Sequence, residues 1–382
     1  MPNSPTQDSD LNNQSALTRQ FRSQSSILGW DVGGAHLKAV LIESEASHVN
    51  VLQVIQLPCP LWRGVEMLVE AVQNIMSQVQ AQFQIEPQHH AVTMTGELAD
   101  IFADRNSGVL EIADIMSQLL PGRVRFYAGK SGFVAIADVA FNTSHIASAN
   151  WHASAGLVAR ESGQGLFVDI GSTTADLALF ANHVPQVRGY SDADRMRYEE
   201  LVYTGAVRTP LMAIARRISF DGEWVTLAAE HFATTADIYR LTGELDAAAD
   251  LADTSDGKGK SIEESARRLA RMIGRDAGEA GILQWITLAQ ALRQSQLHLL
   301  LQAVSRALSR QLVKPDAPLV GAGAGSFLVR HLANQLQRPY VDASSLIHSD
   351  DDSLGAAAAV CLPAYAVAVL SADERSTDER RV

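Results

Sequence analysis

Two segments of this chain follow one pattern: an apolar run closes on Asp, small turn residues follow, and a second apolar run begins. The first is Ile27-Leu28-Gly29-Trp30-Asp31-Val32-Gly33-Gly34-Ala35-His36-Leu37-Lys38, continuing into Ala39 to Ile42. The second is Leu166-Phe167-Val168-Asp169-Ile170-Gly171-Ser172-Thr173-Thr174-Ala175-Asp176, continuing into Leu177 to Phe180. Such segments are expected to fold as tight hairpins, because glycine admits backbone angles and close approaches that a Cβ forbids. Successive N–H groups in a turn of this kind form an anion-binding concavity. An Asp at the strand end can hold a divalent cation against the same anion. Two such hairpins predict a cleft that grips a phosphorylated ligand from both sides.

The whole chain has 382 residues, room for two lobes. Its hydrophobic fraction of 47% and charged fraction of 19% are those of an ordinary globular protein. The net charge of −12 argues against nucleic-acid and anionic-membrane partners. A phosphate site must therefore be assembled locally from N–H groups, metal and a few cations. Only Cys59 and Cys361 occur, too few for a zinc knuckle or a disulfide framework, and consistent with a reducing cytoplasm. No apolar run reaches the length of a membrane span.

The expected organisation is a disordered leader over 1–26, an N-terminal lobe over 27–162, a second lobe over 163–370 and a flexible tail over 371–382. In the first lobe, strands are expected over 49–57, 91–96 and 124–127. Helical spacing runs over 62–83 and 109–119, and 131–160 is Ala-rich and helical. This alternation indicates an α/β sheet with helices on its faces, and the pattern restarts at Gly163. Residues 186–260 are less regular and read as a substrate-facing insertion; for Asp253 to Lys260 a solvated loop is an equal alternative. Helices dominate from 261 to 312. Pro318 to Leu328 reads as strand, glycine turn and helix start, and Ser353 to Val360 as the last structured helix.

The candidate site residues follow from these turns. Asp31 and Asp169 are the expected metal ligands and catalytic acids, with Asp176 a further acid beside them. Gly33, Gly34 and Lys38 in the first hairpin, and Gly171, Ser172, Thr173 and Thr174 in the second, are expected to bind phosphate. Gly321, Gly323 and Gly325 form a third anion-binding candidate; they lack the Rossmann spacing, and no Walker A sequence is present. Each has a bland counterpart: Asp caps turns, Lys38 lies along a hairpin surface, the threonines favour strands, and glycines allow tight packing. Glu97, Asp100 and Arg105 follow a strand-end glycine, where a sheet edge meets a ligand. Glu97 is the catalytic candidate there, with Asp100 and His152 as other proton acceptors. Trp151 is read as core packing or as a stacking surface.

The hairpins and glycine turn, in this order, resemble the phosphate and adenosine loops of the actin-like ATPase superfamily. The segments Gly29 to Lys38, Met94 to Asp100 and Tyr203 to Pro210 are similar to the methanofuran-biosynthesis branch of its hydantoinase/oxoprolinase group, and the match spans Ile27 to Pro363. The resemblance implies a two-lobed actin-like ATPase fold, ribonuclease H-like, with a central cleft. It implies a transferase that condenses an aminomethylfuran-methyl diphosphate with the phenol of γ-glutamyltyramine and releases diphosphate, in tetrahydromethanopterin-linked one-carbon metabolism. Mg²⁺ is the implied cofactor and ATP the less favoured ligand; the partners are small molecules, with a homo-oligomer compatible. Ala35 stands where kinase relatives commonly carry Ser or Thr, which lowers the ATPase reading. The alternatives are an ATP-dependent hydantoinase- or oxoprolinase-like hydrolase, a small-molecule kinase, and a non-catalytic nucleotide-binding partner.

Overall fold

The computed structural model describes residues 25–45 and 48–379. The expected leader lies outside the described residues except for its end, where Ser26 is buried and already begins a strand. The chain divides into two compact units, one of residues up to 157 together with those from 347 onward, the other of residues 158–346.

The first unit is built on β1 (Ser26–Val32), β2 (His36–Glu45), β3 (His48–Pro58), β4 (His89–Met94), β5 (Arg123–Tyr127) and β6 (Phe133–Ala135). Their order is β3-β2-β1-β4-β5-β6, with β1, β2 and β3 antiparallel in series and β4 and β5 parallel to β1. Val, Ile and Leu crowd these strands, as burial on both faces requires. On one face Trp30, Val32, Val92, Met94 and Phe126 pack against the helices Glu66–Phe83, Arg105–Leu119 and Ile136–Ile146. The stretch expected to be helical over 131–160 is therefore split, with β6 before the helix Ile136–Ile146 and a break before Asn150–Ser162.

The other face carries the helix Leu362–Glu379, which corrects two expectations. The second lobe does not extend to residue 370, and the chain remains helical past residue 371 instead of becoming a flexible tail; residues 380–382 lie outside the described residues. The physical reason is a close fit of small residues. The Ala364 carbonyl sits where a Cβ on Gly29 would be, and Ala368 touches the same spot, so β1 accepts this helix only with glycine at position 29. Pro363 opens the helix, in the first turn where proline costs no hydrogen bond.

The second unit repeats the plan with β7 (Gly165–Ile170), β8 (Ala175–Ala181), β9 (Val184–Pro185), β10 (Leu201–Val202), β13 (Leu319–Ala322) and β14 (Tyr340–Asp342); β11 (Arg217–Phe220) and β12 (Glu223–Thr226) form a separate hairpin. The main order is β10-β8-β7-β13-β14, again an antiparallel hairpin flanked by two strands parallel to its first member. The expected restart is thus a repeated topology. Residues 186–260 are far more ordered than their irregular sequence suggests, since Leu211, Ile218, Phe220, Ile238 and Tyr239 all belong to the core. Within them, Asp253 to Lys260 is held by Arg268, which is fully buried, bonds Asp237, and donates to Asp256 Oδ1 at 3.0 Å and the Gly259 carbonyl at 3.1 Å. No single helix among the described residues is long and apolar enough to cross a membrane.

One buried polar pair gives the first unit a pH dependence. Trp30 Nε1 donates to His90 Nδ1 at 3.2 Å, which leaves His90 Nε2–H to donate to the Pro87 carbonyl at 3.0 Å. Burial pushes the His90 pKa down from 6.5 to about 4. The unfolded chain takes up the proton first, so this contribution is whole above pH 6.5 and lost as pH falls toward 4. The expected loss by pH 5 is on the order of 2 kcal/mol. Urea midpoints at pH 7.5 and 5 should fall steeply for the wild type and less for His90→Gln; equal falls would refute the assignment.

Candidate functional site

In the first unit, the β1–β2 turn is Gly33-Gly34-Ala35, closed by Gly33 N–H to the His36 carbonyl at 3.0 Å. The segment entering Leu61 then takes up the turn's carbonyls: Leu61 N–H donates to Gly34 O at 3.0 Å and Cys59 N–H to Ala35 O at 2.8 Å. A trans peptide sends its N–H opposite to its C=O. The Ala35 N–H is thereby turned away from that segment, and the N–H groups of Gly34 and Ala35 meet no acceptor among the described residues.

The second unit uses the same device on Gly171-Ser172-Thr173-Thr174. Gly171 N–H closes the turn on the Thr174 carbonyl at 2.9 Å. Ala206 N–H binds Gly171 O at 2.9 Å, while Val207 and Arg208 N–H bind Ser172 O at 3.1 and 2.8 Å. The N–H groups of Ser172 and Thr173 consequently point the other way. With Thr174 they make three successive donors that meet no acceptor among the described residues, the composition of an anion nest.

The acids at the two strand ends differ in their neighbours. Asp31 pairs in register with Lys38 across β1–β2, and Lys38 Nζ lies 3.5 Å from Asp31 Oδ2. The cation beside Asp31 is therefore a side chain of the protein, and Lys38, expected on phosphate, is engaged with this buried carboxylate. Asp169 instead pairs with Asp176 across β7–β8. Like charges directly opposite in a sheet repel. Arg195 relieves part of that repulsion by donating to Asp176 Oδ1 at 2.7 Å.

The glycine turn after β13 closes on the same place, though its three glycines separate by role. Gly323, at φ +76°, sits where any Cβ would strike Asp169 Oδ1 and the Ile170 carbonyl. Gly325 donates its N–H to Ile170 O at 2.8 Å, and Gly321 lies within β13 beneath Tyr340. Gly321 and Gly325 are thus packed by their neighbours, whereas Gly323 lets the turn approach the Asp169 carboxylate closely.

The remaining candidates separate too. Glu97 is buried and its Oε1 accepts from Ser148 Oγ at 2.8 Å. Asp100 and Arg105 are exposed. His152 Nδ1 lies 2.9 Å from the Tyr127 hydroxyl, whose pKa burial raises, so that phenol keeps its proton. Trp151 is a core residue. Sequence reasoning missed Arg208 as a site residue: its Nε donates to Thr173 Oγ1 at 2.8 Å.

Residues 88–360, more than two thirds of the chain, match the family model described as Hydantoinase/oxoprolinase. The chain belongs to the hydantoinase/oxoprolinase family. It is 27% identical over 345 residues to the (4-{4-[2-(gamma-L-glutamylamino)ethyl]phenoxymethyl}furan-2-yl)methanamine synthase of Methanocaldococcus jannaschii, an alignment covering 90% of this chain and 97% of that protein. The synthase of the same name from Methanococcus vannielii is 25% identical over 214 residues, covering 55% of this chain and 91% of that one. Among solved structures, a nucleotide-free acetone carboxylase shares the fold of this family member with a TM-score of 0.52 at 9% identity, covering 90% of this chain and 70% of that chain. The doubled β3-β2-β1-β4-β5 order is that of the actin-like, ribonuclease H-like fold expected from the resemblance.

Gly323 and Gly34 give a contrast. Gly323→Ala places a methyl on Asp169 at a left-handed backbone position and should cost about 2–3 kcal/mol. Gly34 has nothing within 4 Å of the place a Cβ would take, so Gly34→Ala should stay within about 0.5 kcal/mol of wild type. Chemical denaturation of both variants checks the contrast.

Proposed function

We propose that this chain is a transferase of methanofuran-type cofactor synthesis, joining an aminomethylfuran-methyl diphosphate to the phenol of γ-glutamyltyramine. The observation that carries the reading is the correspondence with the Methanocaldococcus jannaschii synthase across nearly its whole length; that protein's name specifies a phenoxymethyl link to a furan. Both substrates are small molecules, and we read the enzyme as cytoplasmic, in keeping with its two buried, unbridged cysteines.

Making that link breaks the bond between the methylene carbon and the diphosphate oxygen, and the electron pair departs with diphosphate. The furan oxygen shares the positive charge left on the methylene carbon. The phenol oxygen then supplies the pair for the new C–O bond and gives up its proton. The protein's tasks are to hold the departing charge, to fix the phenol against the methylene, and to accept the proton. The outward N–H groups of Ser172, Thr173 and Thr174 suit the first task, being preorganised donors for phosphate oxygens.

Mg²⁺ is the proposed companion of the diphosphate, and Asp169, at the strand end opposite Asp176, is its proposed anchor. No group of three or more His, Cys, Asp or Glu converges as a metal cage among the described residues. Mg²⁺ commonly takes one or two carboxylates and completes its shell with phosphate and water. When bound, it supplies neutralisation of the leaving group's charge. Asp31 is proposed to orient Lys38. Glu97 is the proposed acceptor of the phenol proton, with Ser148 fixing its orientation.

Purified protein, Mg²⁺, the furan diphosphate and γ-glutamyltyramine should give the aryl ether and one diphosphate per turnover without ATP, followed by mass spectrometry. Substrate-dependent release of ADP from ATP, with no ether formed, would instead establish the ATP-dependent hydrolase or kinase reading. Asp169→Asn should lower kcat/KM by roughly two to three orders of magnitude. An Asp169→Asn enzyme as active as wild type would remove the metal assignment.

A further inference from the structure

The turn Gly171–Thr174 offers donors to an anion but contains no charged side chain, in a chain of net charge −12. Cations near the other phosphate-turn acids are engaged: Lys38 lies on Asp31 and Arg195 on Asp176. Arg208 is different. Its backbone N–H is tied to Ser172 O and its Nε to Thr173 Oγ1, each at 2.8 Å. No carboxylate pairs with it among the described residues, and its side chain is exposed. Its Nε is thus anchored on the Thr173 side chain, and the two terminal nitrogens of the guanidinium meet no acceptor among the described residues.

This placement is built into the fold. Gly205 lies against the Ser172–Thr173 peptide, where a Cβ would come within 2.5 Å of it. Behind the loop a buried polar network fixes the backbone. Gln296 donates to Thr204 Oγ1 at 2.8 Å and to the Gly205 carbonyl at 2.9 Å, and it accepts from the Tyr239 hydroxyl. Thr235 Oγ1 donates to the same carbonyl at 2.9 Å, and Gly205 N–H donates to Thr209 Oγ1 at 2.8 Å. Thr204, Thr209, Thr235 and Gln296 are all buried. A network of this kind, fully satisfied, rigidifies the segment it holds. The cost of ordering the arginine backbone is therefore met before any ligand arrives.

We propose that Arg208 is the diphosphate-binding cation of this site, with Thr173 as the positioning residue that aims its guanidinium at the outer phosphate oxygens. The inference rests on the diphosphate reading above and names a residue of that same site. With Nε anchored on Thr173, the two remaining nitrogens present a planar fork to two oxygens of one phosphoryl group, which an ammonium cannot reproduce.

The test is calorimetric titration of the wild type and variants with inorganic pyrophosphate and Mg²⁺, beside the aryl-ether assay. Wild type should bind pyrophosphate, and R208A should weaken binding by roughly ten- to a hundredfold. R208K, which keeps the charge and the fold, should recover only part of that loss. T173V should weaken binding while T173S stays close to wild type, and the T173V/R208A double variant should be no weaker than R208A. The inference is overturned if wild type does not bind pyrophosphate, if R208A and R208K bind as wild type does, or if the two substitutions add independently. Arg208-dependent pyrophosphate binding by a protein that makes no ether would sustain this site and sink the proposed reaction. Ether formation by the wild type with unchanged pyrophosphate affinity in R208A and R208K would do the reverse.

Discussion

The planar trans peptide is the constraint on which this molecule's candidate site depends. When a neighbouring segment captures the carbonyls on one side of a turn, the following N–H groups have to face the other side. Both units exploit this. Cys59 and Leu61 hold the carbonyls of Gly34 and Ala35, and Ala206 to Arg208 hold those of Gly171 and Ser172. The donors are thus aimed by secondary contacts that touch no ligand, and an acidic chain obtains a place for an anion without a cluster of lysines. A second recurring contact keeps each turn at its strand end. Thr95 N–H donates to Val32 O at 2.9 Å, and Gly325 N–H donates to Ile170 O at 2.8 Å.

The two units share topology but not electrostatics. Opposite Asp31 the sheet places Lys38; opposite Asp169 it places a second carboxylate, Asp176. A lysine 3.5 Å from a buried carboxylate leaves that pair close to neutral. Two carboxylates in register disfavour each other's charge, and burial raises the Asp176 pKa while Arg195, 2.7 Å away, opposes that rise. The proposed use of this pair of acids is a site for a divalent cation. The duplicated fold therefore does not imply duplicated function. Its second copy has the acids, the longer run of donors and the anchored arginine.

How much of this was legible in the sequence depended on how local the cause was. The hairpins could be read because alternation of apolar residues, a terminal Asp and glycine all lie within a dozen positions. The repeated sheet order followed from the restart at Gly163. The helix Leu362–Glu379 was not legible because its seat is Gly29, more than three hundred positions earlier. Residues 186–260 looked irregular since their order comes from distant partners: Arg268 holds the Asp256 loop, and Gln296 holds Thr204 and Gly205. Arg208 was quoted within a motif yet given no role. Its only local signal was an arginine between Gly205 and Pro210, and nothing in the sequence says that this loop docks on Thr173.

The role of the glycines follows the same logic and bears on what the site can bind. Three glycines after β13 look like one nucleotide loop, but Gly325 spends its N–H on Ile170 and Gly321 is paired within the sheet under Tyr340. What remains is Gly323, whose missing side chain lets the turn pack directly against the Asp169 carboxylate. In the proposed reading Asp169 takes a cation, while the N–H groups of residues 172–174 and the Arg208 fork take an anion. The proposed metal-bound diphosphate would meet both demands together, since its cation and anion arrive as one ligand. Binding that favours the separated diphosphate over the intact ester would weaken the C–O bond without any covalent help from the protein, because differential affinity for the departing charge is itself catalysis.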